Sequence, residues 1–242
     1  MKQEEDLRFY LQQGARVLNL TLSEKQIDLF VRYYNLLIDG NKKTNLTHIT
    51  GIKDVALKHF IDSLTCTMVM DFSEGKSIVD VGSGAGFPGI PLKIVFPQIY
   101  LTMVDSQQKK VNFLRRVIQE LSLPGVEVFH LRAEEFGHKD GCRENFDVCV
   151  SRAVAGLQVL GEFCLPLVKV GGFFIALKGP DMENEIQEAE KGILILGGKV
   201  RSLHNLKLPV TGDGRSIVII EKIANTPVKY PRRAGIPAKR PL

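Results

Sequence analysis

Ile78-Val79-Asp80-Val81-Gly82-Ser83-Gly84-Ala85-Gly86-Phe87-Pro88-Gly89-Ile90-Pro91 decides the fold of this 242-residue chain. Ile78 to Val81 is apolar and β-branched apart from one carboxylate, and reads as a buried strand. Gly82, Gly84 and Gly86 alternate with Ser83 and Ala85. Glycines at that spacing turn the chain tightly and let a ligand touch bare backbone. Gly89 to Phe96 is apolar and predicts a helix. Strand, glycine turn and helix form the opening unit of a nucleotide-binding α/β sheet. A dinucleotide fingerprint would need glycine at position 87, and Phe87 stands there.

Further strands follow at α/β spacing. Ile99 to Val104 ends at Asp105, at a strand terminus 25 positions after Asp80. Two roles fit Asp105: a partner for ribose hydroxyls, or the N-cap of the helix from Gln107 to Leu121. Val126 to Leu131 is a third strand, with Ala133 and Glu134 just beyond it. Glu134 suits either the adenine edge of a ligand or an acidic helix start. Phe146 to Val150 is a fourth strand, and Arg152 follows at its carboxyl edge. Such an arginine faces the ligand crevice in a doubly wound sheet, or joins a surface ion pair. A helix from Leu157 to Val168, a break at Gly171-Gly172 and a strand from Phe173 to Leu177 come next, closing on Lys178. Residues 181–196 predict a helix, and 199–208 with 217–223 an antiparallel pair turning through Arg215.

Residues 1–73 read as a helical extension. Ser23-Glu24-Lys25-Gln26 is a capping box, flanked by Leu22 and Ile27 as a hydrophobic staple. Ile27, Phe30, Val31, Tyr34, Leu37 and Ile38 recur at helical spacing, and Asp39-Gly40 predicts the helix end. Asn41 to Thr47 then reads as a basic loop carrying Lys42, Lys43 and Asn45. A second helix is expected from Ile52 to Met70, with Lys58, His59 and Asp62 beside its apolar face. His59 fits a core histidine as well as a site residue. Residues 74–224 form the α/β domain, and 225–242 a basic, Pro-rich tail.

Charge is placed unevenly. The chain carries 32 basic and 27 acidic residues. Six of the basic ones, and no acid, lie between Lys222 and Leu242, so the rest of the chain is close to neutral. That is a footprint for a polyanion such as nucleic acid, or else a solvated basic end. No apolar run approaches the ~20 residues of a membrane span. The polar start MKQEEDLRFY predicts no secretory signal. Cys66, Cys142, Cys149 and Cys164 show no metal spacing with one another or with histidine, so no metal is expected and the thiols suit a reducing cytoplasm.

The run Asp-x-Gly-x-Gly-x-Gly from Asp80 to Gly86 is similar to the first motif of S-adenosylmethionine-dependent methyltransferases of the Rossmann-like class. More widely, the chain resembles the RsmG (GidB) family of small-subunit ribosomal RNA methyltransferases. The matching stretches are 41–47 (NKKTNLT), 58–64 (KHFIDSL), 80–91, Asp105-Ser106 with Lys109-Lys110 and Phe113-Leu114, Arg132 to Glu135, Ser151 to Ala155, and Tyr230-Pro231-Arg232-Arg233 with Gly235-Ile236-Pro237. Lys58, where the family often has arginine, and Ala234, where proline is common, are mild departures.

The resemblance implies a seven-stranded, mostly parallel sheet with helices on both faces. It implies methyl transfer from S-adenosylmethionine to N7 of one guanine in 16S ribosomal RNA, free or within the small subunit. Gly82, Phe87, Ala133, Glu134 and Arg152 would contact the cofactor by that resemblance, with Ser83, Gly84, Gly86 and Asp105 around them. Lys42, Lys43, Asn45, His59, Lys178, Arg215, Arg232 and Arg233 are the expected RNA-facing rim, from their places in loops, strand ends and tail. N7 carries a lone pair and no proton, so positioning replaces a general base. No Asn-Pro-Pro-Tyr-like motif follows the fourth strand, as amine methylation would require, and no Pro-Cys, as a carbon-5 enzyme would. Competing readings are a non-catalytic ribosome-assembly factor, a methyltransferase for a small molecule or protein, and an NAD(P)-binding enzyme. No obligate protein partner is evident.

Overall fold

Alternation along the strands sorts the core into two layers. In the computed structural model, which describes residues 2–152 and 155–242, Ile78 and Val79 point to opposite faces of the sheet. Val148 and Val150 oppose Cys149, Ile175 and Leu177 oppose Phe174 and Ala176, and Ile217 and Ile219 oppose Val218 and Ile220. This period of two, apolar on both sides, is what a sheet covered on both faces demands. Ala153 and Val154, within the stretch Ser151 to Ala155 singled out in the sequence, lie outside the described residues.

The strands are β1 (Ser77–Val81), β2 (Tyr100–Asp105), β3 (Val126–His130), β4 (Phe146–Arg152), β5 (Val168–Lys178), β6 (Gly198–Lys207) and β7 (Gly214–Lys222). They form one sheet in the order β3-β2-β1-β4-β5-β7-β6. The first five are parallel, and β7 runs antiparallel to β5 and β6. The direction of winding reverses between β1 and β4. Ligands bind outside the carboxyl ends of strands at such a switch point. The glycine turn leaves β1 there, and Arg152 ends β4 beside it.

One face carries α1 (Lys2–Val17), α2 (Glu24–Thr44), α3 (Ile52–Val55), α4 (Asp62–Leu64), α5 (Gly89–Val95) and α6 (Gln108–Leu121). The other carries α7 (Ala133–Phe136), α8 (Leu157–Cys164) and α9 (Glu183–Ile195). A last short helix, α10 (Ile236–Lys239), lies near the C-terminus. The N-terminal helices share their core with the sheet: Phe30, Tyr33, Leu37 and Phe60 belong to the same buried cluster as Ile78 and Leu101.

Four local expectations are corrected. The Ser23 capping box forms, but α2 does not stop at Asp39-Gly40; it runs to Thr44, so Lys42 and Lys43 occupy its last turn and Asn45 caps it in the left-handed conformation. Gly40 serves close packing instead: a Cβ there would lie 2.8 Å from the Phe113 ring of α6. The expected helix over 52–70 is broken into α3 and α4 by a π turn, Ala56–Ile61, and tightens to 3₁₀ over Thr65–Met68. Strand β5 begins before Gly171-Gly172, which form an irregularity within it rather than its start. Lys222, counted among the tail cations, is fully buried at the end of β7, where its Nζ donates to Leu165 O and Thr226 Oγ1, each at 2.6 Å, and pairs with Glu144 at 3.0 Å.

Gly40→Val should lower stability by ~2 kcal/mol, the cost of overpacking a filled crossing. A melting temperature equal to the parent's would show that the contact between α2 and α6 yields freely.

Candidate functional site

The glycine turn is held open by its own side chains and neighbours. Ser83 Oγ donates to Asp80 O at 2.8 Å, and the Gly84 N–H donates to Asp105 Oδ2 at 2.9 Å. Asp105 Oδ1 accepts from the Gln107 N–H at 2.8 Å, so one carboxylate fixes both the turn after β1 and the turn after β2. Gly86 has φ +105°, and a Cβ there would lie 2.6 Å from Tyr33 Oη. The Tyr33 hydroxyl instead donates to Ala85 O at 2.5 Å, fastening the turn to α2. The Phe87 side chain turns into the core against Tyr33, Phe60 and His59.

A cavity of about 530 Å³ opens at the carboxyl ends of β1 to β4. Gly82, Asp105, Ala133, Glu134 and Arg152 all line it, five of the nine residues expected at a cofactor. Ser83, Gly84, Gly86 and Phe87 stand behind it and shape the turn. Phe163, Gly235 and Ala238 also line it; of these only Gly235 falls in a stretch singled out in the sequence.

Arg152 is the wall between this cavity and a second one. Its Nη1 donates to Asp62 Oδ2 at 3.1 Å and to the carbonyls of Lys58 and His59, each at 3.3 Å. Both carbonyls belong to the π turn, and His59 O also accepts from Ser63 Oγ at 2.6 Å. The guanidinium also sits 4.8 Å from the centre of the Phe87 ring. Arg152 Nη2 lies 3.3 Å from His59 Nδ1. Arginine has only donors, so Nδ1 accepts and the His59 proton sits on Nε2, 2.8 Å from Thr47 Oγ1. Burial, with the adjacent Arg152 charge, pushes the His59 pKa down to about 3. The imidazole is therefore neutral, stacked on Phe87 at 4.5 Å.

The second cavity, about 330 Å³, is lined by Lys58, His59, Asp62, Arg152, Lys178 and Arg215 with Leu177 and Gly179. Three of the expected RNA-facing residues thus meet in one place. Asp62 holds both guanidiniums: Arg215 Nε donates to its Oδ1 at 3.0 Å. Burial raises the Asp62 pKa, and the two arginines oppose that rise. Lys178 Nζ donates to Ala155 O at 2.7 Å and pairs with Glu185 at 2.8 Å. In the sequence Asp62 lies beside an apolar face; an acid between the apolar pair Phe60-Ile61 and Leu64 is the available signal.

The other expected rim residues lie elsewhere. Lys42, Lys43 and Asn45 are exposed at the end of α2 and line neither cavity. Arg233 is exposed in the C-terminal segment. Arg232 is turned inward, its Nη2 2.6 Å from Oε2 of the fully buried Glu162.

The donor set of the larger cavity suits a zwitterionic nucleoside. Its volume lies in the range of small-molecule sites. Asp105 accepts two protein hydrogen bonds and Glu134 one, from the Gly235 N–H, where an ionised carboxylate accepts about four. Both retain capacity for hydroxyl or amino donors, and Arg152 offers a cation for a carboxylate. Asp80 Oδ1, fully buried at the base of the turn, has no hydrogen-bond partner. Among the described residues no group of three or more metal-ligating side chains is gathered. No helix among them is long and apolar enough to cross a membrane.

Burial raises the Asp80 pKa from 3.8 to about 7. A raised carboxyl pKa means the folded protein holds a proton the unfolded chain has released, so this contribution is full below pH ~4 and is lost as pH rises to ~7. At 1.36 kcal/mol per unit the loss approaches ~4 kcal/mol. Asp80→Asn should flatten the stability profile over that window and exceed the parent in stability at pH 8. Urea titrations across pH 4–8 check this; parallel profiles for the two proteins would refute it.

Comparison with known proteins agrees with this geometry. Residues 26–216 match the family model described as rRNA small subunit methyltransferase G. A protein of that name from Desulforamulus reducens is 51% identical over 237 residues, covering 98% of this chain and 99% of the relative. Another from Pelotomaculum thermopropionicum is 51% identical over 232 residues, covering 96% and 97%. Among solved structures, a SAM-dependent O-methyltransferase from Thermotoga maritima shares the fold with a TM-score of 0.52, at 20% identity over 79% of this chain and 72% of that one. With its sequence matched over nearly its whole length and its crevice at the β1/β4 switch point, the chain belongs to the rRNA small subunit methyltransferase G family.

Proposed function

We propose that this protein is an enzyme that transfers the methyl group of S-adenosylmethionine to N7 of a guanine in 16S ribosomal RNA. The observation that carries the reading is the pair of adjoining cavities sharing Arg152. One suits the methyl donor. The other presents Lys58, Lys178 and Arg215 around a neutral imidazole, a setting for a nucleotide with its phosphate. The family name supplies the small-subunit RNA as substrate.

When bound, the cofactor supplies an electrophilic methyl on a positively charged sulfur. Asp105, Glu134 and Arg152 would hold it for transfer of that methyl to the N7 lone pair, the electron pair of the C–S bond staying on sulfur. N7 has no proton to lose, so no residue must act as base. His59, with its pKa near 3, is suited to stacking or hydrogen bonding rather than proton transfer. What remains for the chain is orientation. The turn fixed by Asp105 and Tyr33 sets the floor of the donor cavity, and Arg152, clamped by Asp62 and the π turn, sets the partition.

Incubation with labelled S-adenosylmethionine and unmodified small-subunit RNA, free and in 30S particles, followed by borohydride and aniline cleavage, tests the chemistry. A break at a single guanine is expected. Label in RNA without a break would move the methyl to another atom, and label only in protein or small molecules would overturn the RNA reading. Arg215→Ala should raise KM for RNA roughly tenfold, the loss of ~1.4 kcal/mol, and make binding less salt-dependent. Cofactor affinity should stay near the parent's. An unchanged KM and salt slope would remove Arg215 from the RNA surface.

A further inference from the structure

The C-terminal segment carries the chain's excess positive charge, yet its main contacts are internal. Arg143 donates through Nη1 to Tyr230 O at 2.8 Å and through Nη2 to Thr226 O at 2.7 Å. The Thr226 N–H donates to Glu144 at 2.6 Å, and His138 Nε2 bonds Pro231 O at 2.6 Å. Tyr230 is buried. These bonds tie residues 226–231 to the segment that joins α7 to β4.

Arg232 then fastens the segment. Glu162 is fully buried in α8, a mostly apolar helix whose other polar side chain is Gln158. Its Oε1 accepts from the Arg232 backbone N–H at 2.7 Å and from Nε at 2.9 Å, and its Oε2 accepts from Nη2 at 2.6 Å. This forked pair satisfies a carboxylate that would otherwise be desolvated and alone. Immediately after the latch, the Gly235 N–H donates to Glu134 Oε1 at 2.9 Å. Gly235 and Ala238 then line the larger cavity, as Gly82 of the glycine turn does.

We infer that the C-terminal segment is a structural wall of the cofactor site: Gly235 and Ala238 bound the nucleoside end beside Glu134, and the Arg232–Glu162 pair is the latch that holds them there. Arg232 is a positioning residue, acting on the cofactor through Gly235 and Glu134 rather than touching it. The exposed cations on the same segment, Arg233, Lys239 and Arg240, remain free to meet a polyanion, so one stretch of chain faces both ligands. The inference rests on the cofactor assignment alone and stands whether or not the substrate is RNA.

Titration calorimetry with S-adenosylhomocysteine on the full-length protein, without RNA, tests it directly. Arg232→Ala should weaken binding about tenfold or more, with Arg232→Lys between it and the parent because lysine keeps the charge and loses the fork. Ala238→Phe, at an exposed site that leaves the latch intact, should weaken binding about as much by filling the cavity. Val228→Ser, in the same segment at a side chain 84% exposed, should bind like the parent. Circular dichroism establishes that each variant is folded. If Arg232→Ala does not fold, Ala238→Phe decides alone. Parent-like affinity in the folded variants of Arg232 and Ala238 overturns the inference.

Discussion

A single desolvated guanidinium, that of Arg152, ties the parts of this molecule together. It ends the central strand β4, yet its partners come from the N-terminal helices: Asp62 and two carbonyls of the π turn. Burial lowers its pKa, and the Asp62 charge works against that fall. An arginine tolerates this position because it stays protonated and offers five donors in a fixed plane; lysine would offer fewer directions and lose its proton more readily when buried. The consequence is architectural. The helical extension is bound to the sheet at the point where both cavities meet, so its placement and the shape of the site are one constraint.

Much of the fold was legible because it depends on short-range pattern. Alternating apolar residues in β1, β4 and β7 specify strands covered on both sides, and the glycine turn specifies where the sheet opens. The errors came where a residue served a distant neighbour. Gly40 reads as a helix stop by propensity, but the ring of Phe113, far along the chain, requires its small size. The π turn has no local signature: Ala56 to Ile61 fits an ordinary helix, and the Arg152 guanidinium that bonds two of its carbonyls comes from the distant strand β4.

The candidate site was legible to a similar depth. Asp105, Glu134 and Arg152, which line one cavity, stand out in the sequence because the ends of parallel strands are positions it can locate. Charge alone misled at the other end of the chain. Lys222 and Arg232 count as free cations in any composition, but Glu144 and Glu162 neutralise them inside the fold. Nothing in a basic stretch announces a carboxylate partner 70 positions upstream. The signal lay in the partner: Glu162 is the one acid in the apolar helix α8, and a buried acid requires a donor from somewhere.

The polar pairs have a common placement that separates them from the rest of the core. Arg152–Asp62 and Arg232–Glu162 each join segments 70 or more residues apart, and each stands at a wall of the larger cavity or next to one. Desolvation offsets most of what such pairs add to stability, so their effect is better sought in geometry. An apolar contact tolerates sliding and repacking; a forked guanidinium on a buried carboxylate does not, because a shifted partner leaves a bare charge. The apolar layers on the two faces of the sheet therefore account for folding, while the ion pairs set the positions of the walls. A cavity whose chemistry is orientation needs that second kind of contact, since fractions of an ångström at its boundary translate directly into misalignment of donor and acceptor.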